Sequence, residues 1–182
     1  MDGEILPIIN RESQNKCDKK AFFVHLMGSH PAFSHRYPKE FNVFQHSDYI
    51  EKPENQRQVL AEYDNSILYN DYVVYNIIEK FINKEAIVLY FPDHGLDIFD
   101  TSNDYIGHAR KTISHSTVVA KQIPFMIWFS DKYKLKYYDD VEKMKNSINN
   151  DFCTENIIYT IMDIVGVRFE ENKDVEAFSL FH

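Results

Sequence analysis

Ala86-Ile87-Val88-Leu89-Tyr90-Phe91-Pro92-Asp93-His94-Gly95 is the stretch that decides the fold. The apolar run reads as a buried strand. It ends in an acid, an imidazole and a glycine, so two potential metal ligands arrive at the carboxyl edge of a sheet. Open α/β folds keep their sites at that edge. Neighbours on a strand point to opposite faces, so Asp93 and His94 reach one metal only where the strand has ended. Gly95 permits the necessary turn. The plain alternative is a polar strand-to-loop junction with no ligand role.

Working outward, residues 92–122 read as a long loop rich in His, Asp, Ser and Thr, with His108 inside it. Loops of that length in a compact domain are usually functional or disordered, and the potential ligands favour function. Pro124 to Phe129 reads as another strand, Asp131 to Asn149 as an exposed helix or turn-helix. Glu155 to Val165 reads as an amphipathic helix, with Thr154 as its N-cap and Gly166 at its end. Phe169 to His182 is a polar tail. Upstream, Asn55 to Asn83 is the best helix, with Leu60, Tyr63, Ile67, Val74, Ile78 and Phe81 on one apolar face. Pro31 to Pro53 reads as an ordered loop with a short helix near Phe41. Ala21 to Met27, bounded by Gly28-Ser29, reads as a buried strand. Asn10 to Lys20 reads as a loop or short exposed helix. This order implies an α/β fold with a largely parallel sheet flanked by helices, in one domain spanning residues 1–182.

The chain has 182 residues, 44% of them apolar and 15% aromatic, which is a globular composition with enough length for a core. The net charge is −8, and no basic stripe with interleaved aromatics occurs. The reading therefore excludes nucleic acid as a partner. A local cationic pocket for phosphate remains compatible with that charge. Two cysteines, Cys17 and Cys153, make no disulfide framework. No run reaches the roughly 18 apolar residues of a membrane span. The start, Met1-Asp2-Gly3-Glu4, lacks the basic n-region of a signal peptide. As written, the chain is expected to be cytoplasmic.

A second imidazole-bearing turn, His25-Leu26-Met27-Gly28-Ser29-His30, follows the upstream apolar segment. His25 lies within that segment and reads as a packed histidine. His30 lies beyond it, where side chains project into a site, and is the better ligand or phosphate-binding candidate. Arg36 could clamp a phosphate or stand solvated before Tyr37-Pro38. Gly107 before His108 allows close backbone approach. His46, His115 and His182 have no special context. Asp71 interrupts the helical apolar face, so it should be paired or sit near the rim. Ser66 and Thr101 carry hydroxyls outside any nucleophile elbow. No phosphate-cradling Gly-rich loop occurs. The pieces suit metal-assisted phosphate chemistry and include no nucleophile.

In order, the chain carries His-Leu-Met-Gly-Ser-His at 25–30, Arg-Tyr-Pro at 36–38, Tyr-Asp-Asn-Ser at 63–66, Asp-His-Gly at 93–95, Gly-His at 107–108, and a Pro-led strand at 124–129 ending in Ser130-Asp131. This series resembles the C-terminal half of the catalytic domain of phosphoethanolamine transferases, in the sulfatase-like branch of the alkaline phosphatase superfamily. The resemblance covers most of residues 3–181 and implies an incomplete sulfatase-like α/β domain. It implies a Gram-negative inner-membrane lineage with a periplasmic catalytic domain. Such enzymes move phosphoethanolamine from phosphatidylethanolamine onto lipid A, lipopolysaccharide core sugars or related glycans, through a phosphorylated threonine and with one or two zinc ions. Carried over by position, Asp93 and His94 match the zinc pair. His30 and His108 match histidines that bind substrate phosphate or a second zinc and serve catalysis.

Departures from the family pattern shape the expectation. The family usually has Ser-Asp-His-Gly-Glu where this chain has Pro92-Asp93-His94-Gly95-Leu96. That change removes a carboxylate near the metal. The nucleophilic threonine, a glutamate ligand and the membrane domain belong to a segment this chain lacks. The expectation is a fragment, inactive alone, whose missing half another polypeptide could supply. A sulfatase or phosphodiesterase of the same superfamily, and a non-catalytic remnant, are the competing readings.

Overall fold

The long helix is the organising element of the computed structural model, which describes residues 1–108, 121–167 and 178–181. In chain order the elements are α1 (Ile5–Gln14), α2 (Glu54–Glu79), β1 (Ile87–Tyr90), β2 (Asp97–Ile98), β3 (Ile106–Gly107), β4 (Met126–Phe129), α3 (Asp131–Lys136), α4 (Tyr138–Asn146) and α5 (Ile157–Val165). Three short 3-10 turns, Phe33–His35, Lys39–Phe41 and His46–Tyr49, occupy the proline-containing segment before α2. The chain packs as two compact units. The first is Met1–Ile82 with Leu89–Met126, the second Asn83–Val88 with Ile127–His182.

In the first unit, α2 buries Ala61, Asn65, Tyr69, Val73 and Ile77, one residue every turn along a single stripe. Ile9 of α1 and Tyr37 complete the core around Tyr69, Val73 and Ile77, and Val24, Leu26, Phe41 and Phe81 pack against it. Full burial of an aliphatic side chain such as Ile9 or Val73 contributes about 1.5–3 kcal/mol. The buried stripe is rotated from the expected apolar face. Val74 is buried, but Ile67 is 43% exposed, and Asp71 lies on the exposed side. Two polar residues, Asn65 and Ser66, take core positions instead, for a reason the site makes plain below.

Ala21 to Met27 is not a strand. Val24 and Leu26 face the core while Phe23 and Met27 point outward. The alternation of an extended chain is there, yet no described residue forms a ladder with it. Apolar alternation fixes which side chains face inward, and a ladder needs a neighbouring strand as well. The upstream polar segment, read over Asn10 to Lys20 as a loop or short exposed helix, holds a helix, α1, that starts earlier, at Ile5; Ile5, Leu6 and Ile9 give it an inner face.

The segment 92–108 is more ordered than a loop. β2 and β3 form an antiparallel hairpin with Asp97 opposite Gly107 and Ile98 opposite Ile106. β1 and β4 are hydrogen-bonded neighbours. The Ser130 amide donates to the Ala86 carbonyl at 3.0 Å, and the Phe91 and Phe125 rings lie 5.6 Å apart at the other end. These strands therefore run in opposite directions. Both described pairs are antiparallel, whereas the element order alone suggested parallel pairing. A long connection can return a strand in either direction, so order does not fix it.

In the second unit, Ser130 is fully buried. Its Oγ accepts the amides of Tyr133 (3.1 Å) and Ala86 (3.0 Å), capping α3 and tying it to the residue before β1. Tyr133 stacks on Phe129 and leans on Tyr137. Lys136 pairs with Glu85 at 2.9 Å. The segment 131–149, read as an exposed helix or turn-helix, holds two helices that meet at Tyr137. α5 begins after a 3-10 turn, and Thr154 makes no side-chain cap. Gly166 ends it in the left-handed conformation, as expected. The turn at 178–181 is fixed by Ser147 Oγ donating to the Leu180 carbonyl (3.2 Å) and the Leu180 amide donating to Thr160 Oγ1 (3.1 Å). His115, His182 and most of the expected tail lie outside the described residues.

Candidate phosphate and metal site

β1 ends at Tyr90, whose hydroxyl accepts from Asn70 Nδ2 of α2 at 2.6 Å. The chain then turns through Asp93 and His94. Asp93 Oδ1 accepts the His94 amide at 3.0 Å, which fixes the backbone that orients both side chains. His94 Nδ1 lies 2.8 Å from the Gly95 carbonyl. A carbonyl only accepts, so Nδ1 carries the hydrogen and Nε2 presents a lone pair. Nε2 lies 3.8 Å from Asp93 Oδ1. A carboxylate oxygen and an imidazole Nε2 are both zinc donors.

The hairpin brings His108 back to this point. Asp97, buried at its start, accepts the amides of Asp100 (2.9 Å) and Thr101 (3.3 Å) and the Thr101 hydroxyl. Phe99 takes a left-handed φ of +63° and donates its amide to the Tyr105 carbonyl at 3.0 Å. Gly107 has φ +154°, a conformation that residues with a Cβ rarely adopt, and a Cβ there would also press on the Tyr105 hydroxyl at 2.9 Å, so glycine suits the residue before His108. As a result the His94 and His108 rings lie 4.0 Å apart, tilted by 33°. His94 is partly exposed and His108 exposed, so both rings are open to an incoming group.

His30 is exposed on its own turn and makes no ring contact with that pair among the described residues. The turn is held by its backbone. Asp2 accepts the amides of Gly28 (2.7 Å) and Met27 (3.1 Å). Arg36 donates through Nε to the His30 carbonyl (3.1 Å) and through Nη2 to the Pro31 carbonyl (2.9 Å). His25 is exposed, not packed as the sequence suggested.

Two shared motifs turn out to be scaffolding. Asn65, wholly buried in α2, accepts the amides of Val43 (2.9 Å) and Phe44 (2.8 Å). Its Nδ2 donates to the Phe44 carbonyl (2.9 Å) and Asn42 Oδ1 (3.1 Å), and approaches the Tyr37 hydroxyl (3.5 Å). Tyr-Asp-Asn-Ser therefore fixes the loop that continues from Arg-Tyr-Pro. Asp64 accepts the Tyr49 hydroxyl. Burial and the Asp64 carboxylate push the Tyr49 phenol well above its usual range. Sequence reading quoted Asn65 only within Tyr-Asp-Asn-Ser and Asp2 only within the acidic start, and gave neither a role of its own. The available signal was a polar residue on the buried period of a long helix.

Among the described residues no group of three or more His, Cys, Asp or Glu side chains is placed to hold a metal. Asp93 and His94 supply two donors of the right chemistry, where a catalytic zinc takes three protein ligands and an open position.

A strand ending in Asp93 and His94, a hairpin returning His108 beside them and a helix-supported turn suit a sulfatase-like α/β domain. The chain belongs to the sulfatase family, whose model matches residues 1–167. It is 26% identical over 174 residues to the phosphoethanolamine transferase EptC of Escherichia coli (strain K12), covering 93% of this chain and 29% of that protein. It is 30% identical over 128 residues to the Kdo(2)-lipid A phosphoethanolamine 7''-transferase of the same strain, covering 66% of this chain and 21% of the other. The crystal structure of the C-terminal periplasmic domain of E. coli EptC in complex with Zn matches all of this chain with a TM-score of 0.86 at 25% identity. The chain spans 50% of that domain and under a third of the full-length relatives. The resemblance read from the ordered motifs is borne out. No helix among the described residues is long and apolar enough to cross a membrane.

Proposed function

We propose that this chain carries the metal and phosphate end of a phosphoethanolamine transferase site. The observation that supports the reading most directly is the His94–His108 ring pair, 4.0 Å apart, with Asp93 beside it. In this reading Asp93 and His94 hold zinc, one or two ions in the complete site. The zinc supplies Lewis acidity that lowers the nucleophile's pKa and neutralises phosphoryl charge. His108 and His30 hydrogen-bond phosphoryl oxygens and carry protons, the work of catalytic and substrate-binding imidazoles. The Gly95 carbonyl keeps His94 in the tautomer whose Nε2 is free. Arg36, a candidate phosphate clamp by sequence, has its Nε and one Nη2 hydrogen committed to the His30 and Pro31 carbonyls, so its main work in this reading is on that backbone.

The donor is phosphatidylethanolamine and the acceptor a lipopolysaccharide-type glycan such as lipid A, at the periplasmic face of the inner membrane. Relatives named for that transfer support this substrate class. No nucleophile is assigned here. Ser66 Oγ donates to the Tyr63 carbonyl, the Thr101 hydroxyl donates to Asp97, and Ser130 caps α3. The threonine and remaining ligand come from the other half of the domain, in this polypeptide or another. Leu96 in place of a carboxylate, and a metal set of two donors among the described residues, favour a chain that is catalytically silent by itself.

Titration of the 182-residue chain with zinc by calorimetry tests the reading, alongside turnover of a phosphoethanolamine donor with water or a glycolipid as acceptor. Weak zinc binding, lost in Asp93→Ala, and no turnover are expected. Addition of the complementary half should restore transfer to the glycolipid. Transfer to water instead points to a hydrolase, and transfer unaffected by His94→Ala overturns the assignment.

A further inference from the structure

We infer that Asp2 and Arg36 are positioning residues for His30, gripping the backbone of its turn from both sides with opposite charges. This rests on the reading of His30 given above and deepens it. The segment is one the chain would not hold unaided. Gly28 takes φ +55° and Ala32 φ +66°, and an alanine in the left-handed region is strained. Strain of that kind persists only where surrounding contacts over-determine it. The turn's own hydroxyl does not help, because Ser29 Oγ is buried and has no hydrogen-bond partner among the described residues.

Among the described residues, two side chains from outside the turn hydrogen-bond its backbone. Before His30, the Asp2 carboxylate takes two successive amides, Met27 and Gly28. From His30 onward, the Arg36 guanidinium takes two successive carbonyls, His30 and Pro31. Ionised groups make the stronger hydrogen bonds, and a planar fork fixes direction as well as distance. Arg36 is followed by Tyr37, which is buried and whose hydroxyl meets Asn42 Oδ1. Asn65 of α2 holds that same Asn42. The grip on His30 thus leads back to the most buried polar side chain of the long helix. A flexible turn would present its imidazole over a range of positions, whereas phosphate recognition needs it in one.

The test uses inorganic phosphate as probe and the His30 Cε1–H resonance as readout, in the whole chain. Asp2→Ala and Arg36→Lys should each weaken phosphate binding about tenfold, with Asp2→Asn, which keeps an acceptor oxygen, falling between. Arg36→Lys is decisive, because it preserves the charge and loses the fork. Arg57 makes the same kind of grip on the Ile50 and Lys52 carbonyls, and Arg57→Lys should leave the affinity unchanged. Amide exchange at Met27 and Gly28 should quicken in Asp2→Ala. Full phosphate affinity in Arg36→Lys makes Arg36 a charge ligand and overturns the inference, as does unchanged exchange in Asp2→Ala. If phosphate leaves the wild-type His30 resonance unmoved, the functional reading of His30 fails, and amide exchange alone decides the grip.

Discussion

Replacing Asn65 by alanine should destabilise the first unit by about 3 kcal/mol, and the structure says why. The side chain makes four hydrogen bonds of 2.8–3.1 Å, to the amides of Val43 and Phe44, the Phe44 carbonyl and Asn42 Oδ1. A buried partner left unpaired costs about 1–3 kcal/mol. Val43 is 59% exposed, so its amide recovers water cheaply and sits below that range. The Phe44 groups are part-buried and do not. At about 2–4 °C per kcal/mol for a chain of this size, Tm should fall by roughly 6–12 °C. Asn65→Asp sharpens the test. It keeps the acceptor for both amides but turns a carboxylate oxygen toward Asn42 Oδ1 and the Phe44 carbonyl, so it should cost at least as much. Ser66→Ala, one residue on and equally buried, removes only a bond to the Tyr63 carbonyl within the helix and should cost well under half as much. Urea denaturation followed by circular dichroism measures all three. An Asn65→Ala cost below about 1 kcal/mol, with unchanged amide exchange at Val43 and Phe44, would refute the reasoning.

Ser130→Ala should cost about 1–2 kcal/mol, because it strips the cap of α3 and orphans the Ala86 amide; the urea midpoint of the second unit reports it. Gly107→Ala should weaken the proton–proton cross-peaks between the His94 and His108 rings, since a Cβ is strained at φ +154° and would also press on the Tyr105 hydroxyl; unchanged cross-peaks would show that the hairpin adapts. Burial, then the Asp140 carboxylate, pushes the Tyr133 phenol up to about 12 from 10.0. The folded chain therefore keeps a proton that the unfolded chain has released in that interval. Stability from this group is complete below about pH 10 and declines as pH rises toward 12. Tyr133→Phe should flatten the alkaline limb of a stability–pH profile without abolishing it, because burial also raises Tyr63.

Local signals in the sequence located β1, β4 and α2 to within a few residues, because each is a run or period that its own side chains dictate. The Asp-His-Gly turn was legible for the same reason. What periodicity could not show was pairing. Ala21 to Met27 has a strand's alternation with no ladder, and β1 and β4 run opposite to the direction their order suggested. The hairpin carrying His108 was missed because its determinants are polar. Asp97 closes a turn through Asp100 and Thr101, and such residues read as loop when taken singly.

The same blind spot explains the helix. A search for apolar spacing places the inner face of α2 on Ile67, and the structure places it on Asn65. Burying an amide is unfavourable unless every one of its hydrogen bonds is met, so no packing argument selects Asn65. A loop with unpaired amides at Val43 and Phe44 does select it. Asp2 follows the same logic at Met27 and Gly28, and so does Asp97 at Asp100 and Thr101. In each case one polar side chain satisfies consecutive backbone amides of an irregular segment, and each segment lies beside a candidate imidazole or leads to one. Residues that apolar periodicity discards as noise are therefore the ones that set where the imidazoles stand, and a polar residue on the buried period of a long helix is itself a sign that a loop is held there.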